Sequence, residues 1–215
     1  MINWFLDMCI PIYYASQEDY ILVEKAKEFV KNKKENLFVT CFYVLENNLP
    51  KWIERQRTII KEVEFKIKNS DYEIGASYQS RILNNRDKRK GDKFFISYLN
   101  AENKEEFLDV LKIKQLIMEQ ALDYFIKHFI NKKVIPISEI DFELKSSLFT
   151  YLNSNDSDAR TLASAVQQHN KELITVLTGD AKHWTKELLN DAVSIHPTLR
   201  KKYSKIPEIK YLQNL

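Results

Sequence analysis

The chain has 215 residues, 44% of them apolar, with 33 basic and 30 acidic side chains and a net charge of +3. This excludes a disordered chain and allows one packed domain, or one domain carrying a large insertion. So balanced a charge does not by itself identify a polyanionic partner. With only 3 Gly and 5 Pro, a β-sandwich built on tight turns is disfavoured and long helices are expected.

The opening stretch MINWFLDMCIPIYYA is apolar but has no basic leader, and Asp7 interrupts it, so it does not read as a secretory signal. There is no uncharged apolar run of about 18 residues, so no membrane span is expected. Cys9 and Cys41 fit neither a zinc spacing nor a disulfide framework. Their apolar surroundings predict buried free thiols in a reducing, cytoplasmic setting.

In chain order, residues 2–6 read as a short buried strand with Asp7 at its exit. Helical spacing over 18–32 places Ile21, Val23, Ala26, Phe29 and Val30 on an apolar face. Residues 37–40 predict a second strand, followed by a helix or helix pair over 42–68, interrupted near Pro50. Residues 69–100 hold polar loops, the aromatic residues Phe94, Phe95 and Tyr98, and a basic run. Segment 81–93 carries six Lys or Arg against two Asp. It is expected as a loop whose Arg86, Lys88, Arg89 and Lys90 are candidates for phosphate contact. The three aromatics could stack bases, although core packing is the stronger expectation.

A long amphipathic helix is predicted over 103–130, a strand over 133–137 and a helix over 139–153. The NSNDSD segment is rich in helix-capping residues. Ala159, Leu162, Ala163 and Val166 then continue at helical spacing toward His169. LITVL at 173–177 reads as a buried strand leaving through Thr178, Gly179 and Asp180. A short helix at 183–191 and a weak strand at 192–195 follow. Short apolar strands alternating with helices predict a three-layer α/β/α fold with a mostly parallel sheet. The domain expected is a single one over 1–215, with a helical insertion at about 50–130.

Ligands of parallel α/β sheets bind beyond the carboxyl ends of the strands. Asp7 and Asp180 each follow a strand, Glu46 lies early in the helix after another, and Asp158 opens the helix that feeds the last. Carboxylates brought together repel one another, and a hard divalent cation relieves the conflict. Such an ion, Mg²⁺ for example, suits phosphodiester hydrolysis. Asp156 is a second candidate for the place of Asp158. Thr178 and His183 are weaker candidates, for orienting Asp180 or touching substrate. His128, His169, His183 and His196 show no zinc spacing.

WFLDMC around Asp7, VTCFYVLE ending at Glu46, DSDARTLASA around Asp158 and VLTGD ending at Asp180 together resemble the PIN-domain family. The resemblance covers the two ends of the chain and leaves roughly 50–130 unmatched. It implies a Mg²⁺- or Mn²⁺-dependent ribonuclease with Asp7, Glu46, Asp158 and Asp180 as catalytic metal ligands. RNA is the implied substrate, with an antitoxin protein and a second copy of the chain as further partner candidates. The spacing from Asp158 to Asp180 is a few residues longer than in compact toxins of that family. A non-catalytic PIN-like scaffold that binds RNA or protein is the alternative. A haloacid-dehalogenase-like phosphatase would carry a second Asp two residues after the first, where this chain has Cys9.

Overall fold

The computed structural model describes residues 3–18, 20–33 and 38–215. Ile2 and Leu37, at the starts of two expected strands, and Asp19, in the expected helix 18–32, lie outside the described residues. The elements begin with β1 (Asn3–Leu6), α1 (Cys9–Ala15), α2 (Ile21–Lys33) and β2 (Phe38–Cys41). A π-helical turn, Val44–Asn48, runs directly into α3 (Leu49–Lys68). Then come α4 (Asn85–Leu99), α5 (Lys104–Phe129), β3 (Ile130–Val134), α6 (Phe142–Tyr151), α7 (Asp156–Lys171) and β4 (Ile174–Thr178). The last elements are α8 (Lys186–Ser194), α9 (Pro197–Lys202) and β5 (Glu208–Tyr211).

The chain divides into two compact units, residues 1–49 with 121–215, and residues 50–120. The first is a three-layer α/β/α arrangement around a parallel five-stranded sheet in the order β3–β2–β1–β4–β5. β2 and β4 are buried at every position, and β1 at all but its first. That is why they read as continuous apolar runs rather than alternating ones. On one face, Trp4, Leu6 and Leu177 pack with Ile10 of α1, Ala26, Phe29 and Val30 of α2, and Phe125 of α5. On the other, α6 packs against α7 and α8, and α7 against β4 and β2. The small, fully buried Ala159, Ala163 and Ala165 of α7 let that helix approach the sheet closely.

The second unit is helical, as expected for the insertion. Ile59 and Val63 of α3 and Leu83 form a small core, against which Ile67, Ile74, Phe94 and Leu108 pack. Glu62 is buried and accepts hydrogen bonds from Tyr72 Oη at 2.9 Å, the Gly75 amide at 2.6 Å, and the Ser77 hydroxyl. It thus ties the loop after α3 to the helix. Gly75 has φ +100°, a conformation that favours glycine, and the flexible end of Lys88 lies over it.

Five local expectations need correction. The interruption expected near Pro50 is not a break: Pro50 follows the π turn by one residue, and the helical run continues through it into α3. The basic run is not a loop. Asn84 caps α4 in a reciprocal box with Asp87, and the run is helical from Asn85. The strand expected at 133–137 ends at Val134, because Ile135 turns to φ 53° and Pro136 has no N–H to pair. The strand expected at 192–195 belongs to α8, whose Leu189, Ala192 and Val193 are buried at helical spacing. Cys9 is packed against the core as a free thiol, but it is half-buried rather than buried and is hydrogen-bonded, while Cys41 is a buried free thiol.

Candidate active site

The sheet register sets the site. Leu6 pairs with Leu177 across β1 and β4, so the residues leaving the two strands, Asp7 and Thr178, emerge side by side. The Asp7 amide donates to the Leu177 carbonyl at 3.0 Å, and Thr178 Oγ1 donates to Asp7 Oδ2 at 2.8 Å. In this strand order the chain direction around the sheet reverses between β1 and β4. That reversal opens the crevice in which open α/β sheets bind ligands.

Asp7 is 9% exposed. The Cys9 thiol donates to the same Oδ2 at 3.0 Å and in turn accepts from the Gly179 amide at 3.0 Å. Both side-chain donors to Asp7 are neutral and converge on one oxygen. Burial pushes its carboxyl above the ordinary value and the charge of Asp180 adds to the push, against the bonds from Cys9, Thr178 and the Met8 amide. Burial and the adjacent Asp7 also push the Cys9 thiol far up, so it stays protonated and donates. Gly179 is required by close approach, since a Cβ there would lie 2.9 Å from the Tyr13 ring.

Asp180 closes a turn on itself. Its Oδ1 accepts from the amides of Lys182 and His183, each at 3.1 Å, and its Oδ2 lies 2.9 Å from His183 Nδ1. Its own amide donates to Thr178 Oγ1 at 3.0 Å, so Thr178 bridges Asp7 and Asp180. Burial works against the charged form of Asp180, but His183 and the two amides outweigh it and hold the carboxyl below its usual value.

The first turn of α7 separates the two aspartates that were left as alternatives. Asp156 pairs with Arg160 Nε at 2.6 Å and Lys145 Nζ at 3.3 Å. Arg160 chiefly, with help from Lys145 and against burial, keeps it below the ordinary range. Asp158 has no Lys or Arg partner among the described residues. Asn155, the N-cap, accepts from the Asp158 amide and donates from Nδ2 to Asp158 Oδ2 at 2.7 Å. Burial and then the charge of Asp7, with a smaller contribution from Asp180, push the Asp158 carboxyl up to about 6. Asp7, Asp158 and Asp180 therefore feel one another's charge, whereas Asp156 belongs to a structural ion pair.

Glu46 lies on the π turn beyond β2. Its neighbour Asn48 is buried and donates to Ser157 Oγ at 2.8 Å, tying the turn to the start of α7. The Glu46 carboxylate itself is exposed and has no hydrogen bond or ion pair among the described residues. Sequence reasoning missed Cys9, Asn48 and Trp184. The one signal for Cys9 was its position two residues after Asp7. In the second unit, Arg86 and Arg89 are exposed on α4, while Lys88 and Lys90 are half-buried and Lys90 Nζ donates to Gln56 Oε1 at 3.0 Å. Phe94 packs toward the unit's core, and Phe95 and Tyr98 stack on each other at 6.2 Å.

Among the described residues, no three His, Cys, Asp or Glu side chains stand close enough together to cage a metal ion. A cage is not what Mg²⁺ requires, since it keeps several waters and is commonly held by one or two carboxylates. A buried and a half-buried carboxylate, Asp7 and Asp158, bonded only to neutral side-chain donors, fit such an ion. No family model matches the chain, and no curated protein or solved structure matches it either. Among the described residues no helix is long and apolar enough to cross a membrane.

Proposed function

We propose that the protein is a divalent-metal-dependent ribonuclease that hydrolyses RNA phosphodiester bonds at the carboxyl edge of its sheet. One observation carries this reading. Asp7 and Asp158 are raised carboxylates without a Lys or Arg partner among the described residues, while Asp156, Asp141 and Glu119 each have one. Uncompensated charge of one sign in a partly buried crevice is costly unless a cation enters. Its position at the topological switch point and the four motif pieces that resemble the PIN-domain family support the same reading.

Asp7 and Asp158 would hold Mg²⁺ or Mn²⁺, with Glu46 and Asp180 completing the acidic site. When bound, the ion would lower the pKa of a coordinated water and neutralise charge developing on the phosphate. Cys9 and Thr178, both bonded to Oδ2, would hold the Asp7 carboxylate in one orientation for the ion. Asp180 is engaged by His183, so it acts through its charge until that contact opens. His183, more than half exposed at the mouth, is placed to meet the RNA backbone.

The test is cleavage of a labelled single-stranded RNA by purified protein with Mg²⁺ or Mn²⁺. Cleavage should stop in EDTA and in Asp158→Asn. Cleavage that persists in EDTA would sink the proposal. The lack of a three-residue ligand group favours one second reading, a PIN-like scaffold that binds RNA or a protein without cutting it. Metal-independent RNA binding with no cleavage would select that reading.

A further inference from the structure

Trp184 is fully buried, yet its indole Nε1 has no hydrogen-bond partner among the described residues. A buried N–H without an acceptor is a standing cost, and such groups are rare in folded proteins. The local sequence explains how the ring reaches its place. The Asp180 turn reverses the chain, the Trp184 amide donates to the Asp180 carbonyl at 3.3 Å, and Tyr211 Oη of β5 fastens the Trp184 carbonyl at 2.8 Å. The indole is thereby held toward Asp158, close enough to favour that carboxyl's charged form but short of hydrogen-bond geometry.

We propose that Trp184 is a positioning residue for Asp158: its indole N–H closes onto the Asp158 carboxylate when a divalent cation occupies the site. The inference rests on the reading of Asp158 as an ion-holding carboxylate. Asn155 Nδ2 already holds Oδ2. A second neutral donor from Trp184 would fix the plane of the group and present its remaining lone pairs to the ion. Ligating groups depend on such partners, whose loss typically costs about 10–100-fold in metal affinity. The same contact gives the buried N–H the acceptor it otherwise lacks.

The chain has 3 tryptophans, Trp4, Trp52 and Trp184, so a proton–nitrogen correlation spectrum of the intact protein carries three indole signals, and Trp184→Phe assigns the one of interest. On addition of Mg²⁺ to the parent, the Trp184 signal should move downfield and saturate together with the binding heat measured by calorimetry. Mn²⁺ should broaden that signal first. Trp184→Phe should bind Mg²⁺ about 10-fold more weakly or worse. Binding heat with an unmoved Trp184 signal, or a folded Trp184→Phe with parental affinity, would overturn the inference while leaving the ion site standing. Absence of any Mg²⁺ or Mn²⁺ binding to the parent would overturn the ion-site reading and this inference with it. Should the variant fail to fold, the indole signals of the parent still decide, since the mobile one can be assigned by its proximity to residues 180–183.

Discussion

Thr178 Oγ1 donates to Asp7 Oδ2 and accepts from the Asp180 amide, so one hydroxyl spans the exits of the two central strands. Its position follows from the pairing of Leu6 with Leu177. Thr178 is fully buried, and both its donor and acceptor capacities are used. Thr178→Val keeps the shape and removes both bonds. It should lower the unfolding free energy by about 1–3 kcal/mol, the range for a buried polar group left without its partner, and reduce RNA cleavage. Thr178→Ser should restore much of both. Urea denaturation of the three proteins decides this, and a parental midpoint for Thr178→Val would show that Asp7 does not depend on the bond.

Asp158 and Asp156 stand two residues apart on α7 and should behave oppositely. Asp156 is paired with Arg160 and Lys145 at a partly exposed site, so Asp156→Ala should cost at most about 1 kcal/mol and leave Mg²⁺ binding unchanged. Asp158→Asn should abolish or greatly weaken Mg²⁺ binding with little or no loss of stability in EDTA. Calorimetric titration beside thermal melts separates the two residues. Equal loss of Mg²⁺ affinity in both would return Asp156 to the candidate ligands.

The raised carboxyl of Asp158 also sets a pH dependence. Its folded value, about 6, lies above the ordinary 3.8. Between those values the folded state binds more protons than the unfolded state, so this group's contribution to stability rises as pH falls from about 6 toward 3.8. Above pH 6 the charged group is a burden of at most about 3 kcal/mol, less after solvent screening. In EDTA, Asp158→Asn should therefore gain most over the parent at neutral pH, and the gain should vanish below about pH 4. The difference between parent and variant is the quantity to measure, since Asp141 is held low, against burial, by the Leu144 amide with Lys202 and Tyr203, and Glu119 by Arg57, and both shift stability the other way in acid. A gain independent of pH would show that the Asp158 charge carries no penalty.

The layers of the fold were legible because the central strands are buried on both faces, so that WFL and ITVL stand out as short apolar runs between amphipathic helices. β5 was not legible: Glu208–Tyr211 is a half-exposed edge strand of mixed polarity, and its order comes from pairing with β4 rather than from its own composition. α8 was cut short because AVSI, taken alone, has β-branched character, while its apolar period becomes helical only when Leu189 is included. For the site, strand exits placed Asp7 and Asp180 correctly by position. Choosing Asp158 over Asp156 needed the positions of Arg160 and Lys145, one of them a turn away and the other on α6. The acceptor role of Cys9 was hidden for a related reason, because its donor, the Gly179 amide, is 170 residues distant.

The basic helix gives a prediction about substrate grip. Arg86 and Arg89 are exposed on α4, whereas Lys90 is bonded to Gln56 and Lys88 lies over Gly75. If α4 contacts the RNA backbone, Arg86→Ala and Arg89→Ala should each lower the salt slope of single-strand binding by roughly 0.7. Lys88→Ala and Lys90→Ala should change it less and cost stability instead. Filter binding across a range of salt concentrations measures the slopes. If the double arginine variant keeps the parental affinity and slope, α4 is a solvated helix with no part in binding.

The last prediction asks whether Asp7 is an ion ligand or a structural acceptor. In Asp7→Asn the amide oxygen can still accept from Cys9 and Thr178, while the charge that burial and Asp180 make costly is gone. If the carboxylate exists to hold an ion, the variant in EDTA should be as stable as the parent or more so. Mg²⁺ should then stabilise the parent by mass action, about 2.7 kcal/mol at a hundredfold excess over the dissociation constant, and stabilise the variant far less. If Asp7 is instead a structural acceptor, the order reverses: the weaker amide acceptor should lower the melting point in EDTA, and Mg²⁺ should shift both proteins alike. Four thermal melts, parent and Asp7→Asn with EDTA and with Mg²⁺, distinguish the two. A variant that melts well below the parent in EDTA and gains equally from Mg²⁺ would remove Asp7 from the ion site and, with it, the principal ligand of the proposed ribonuclease.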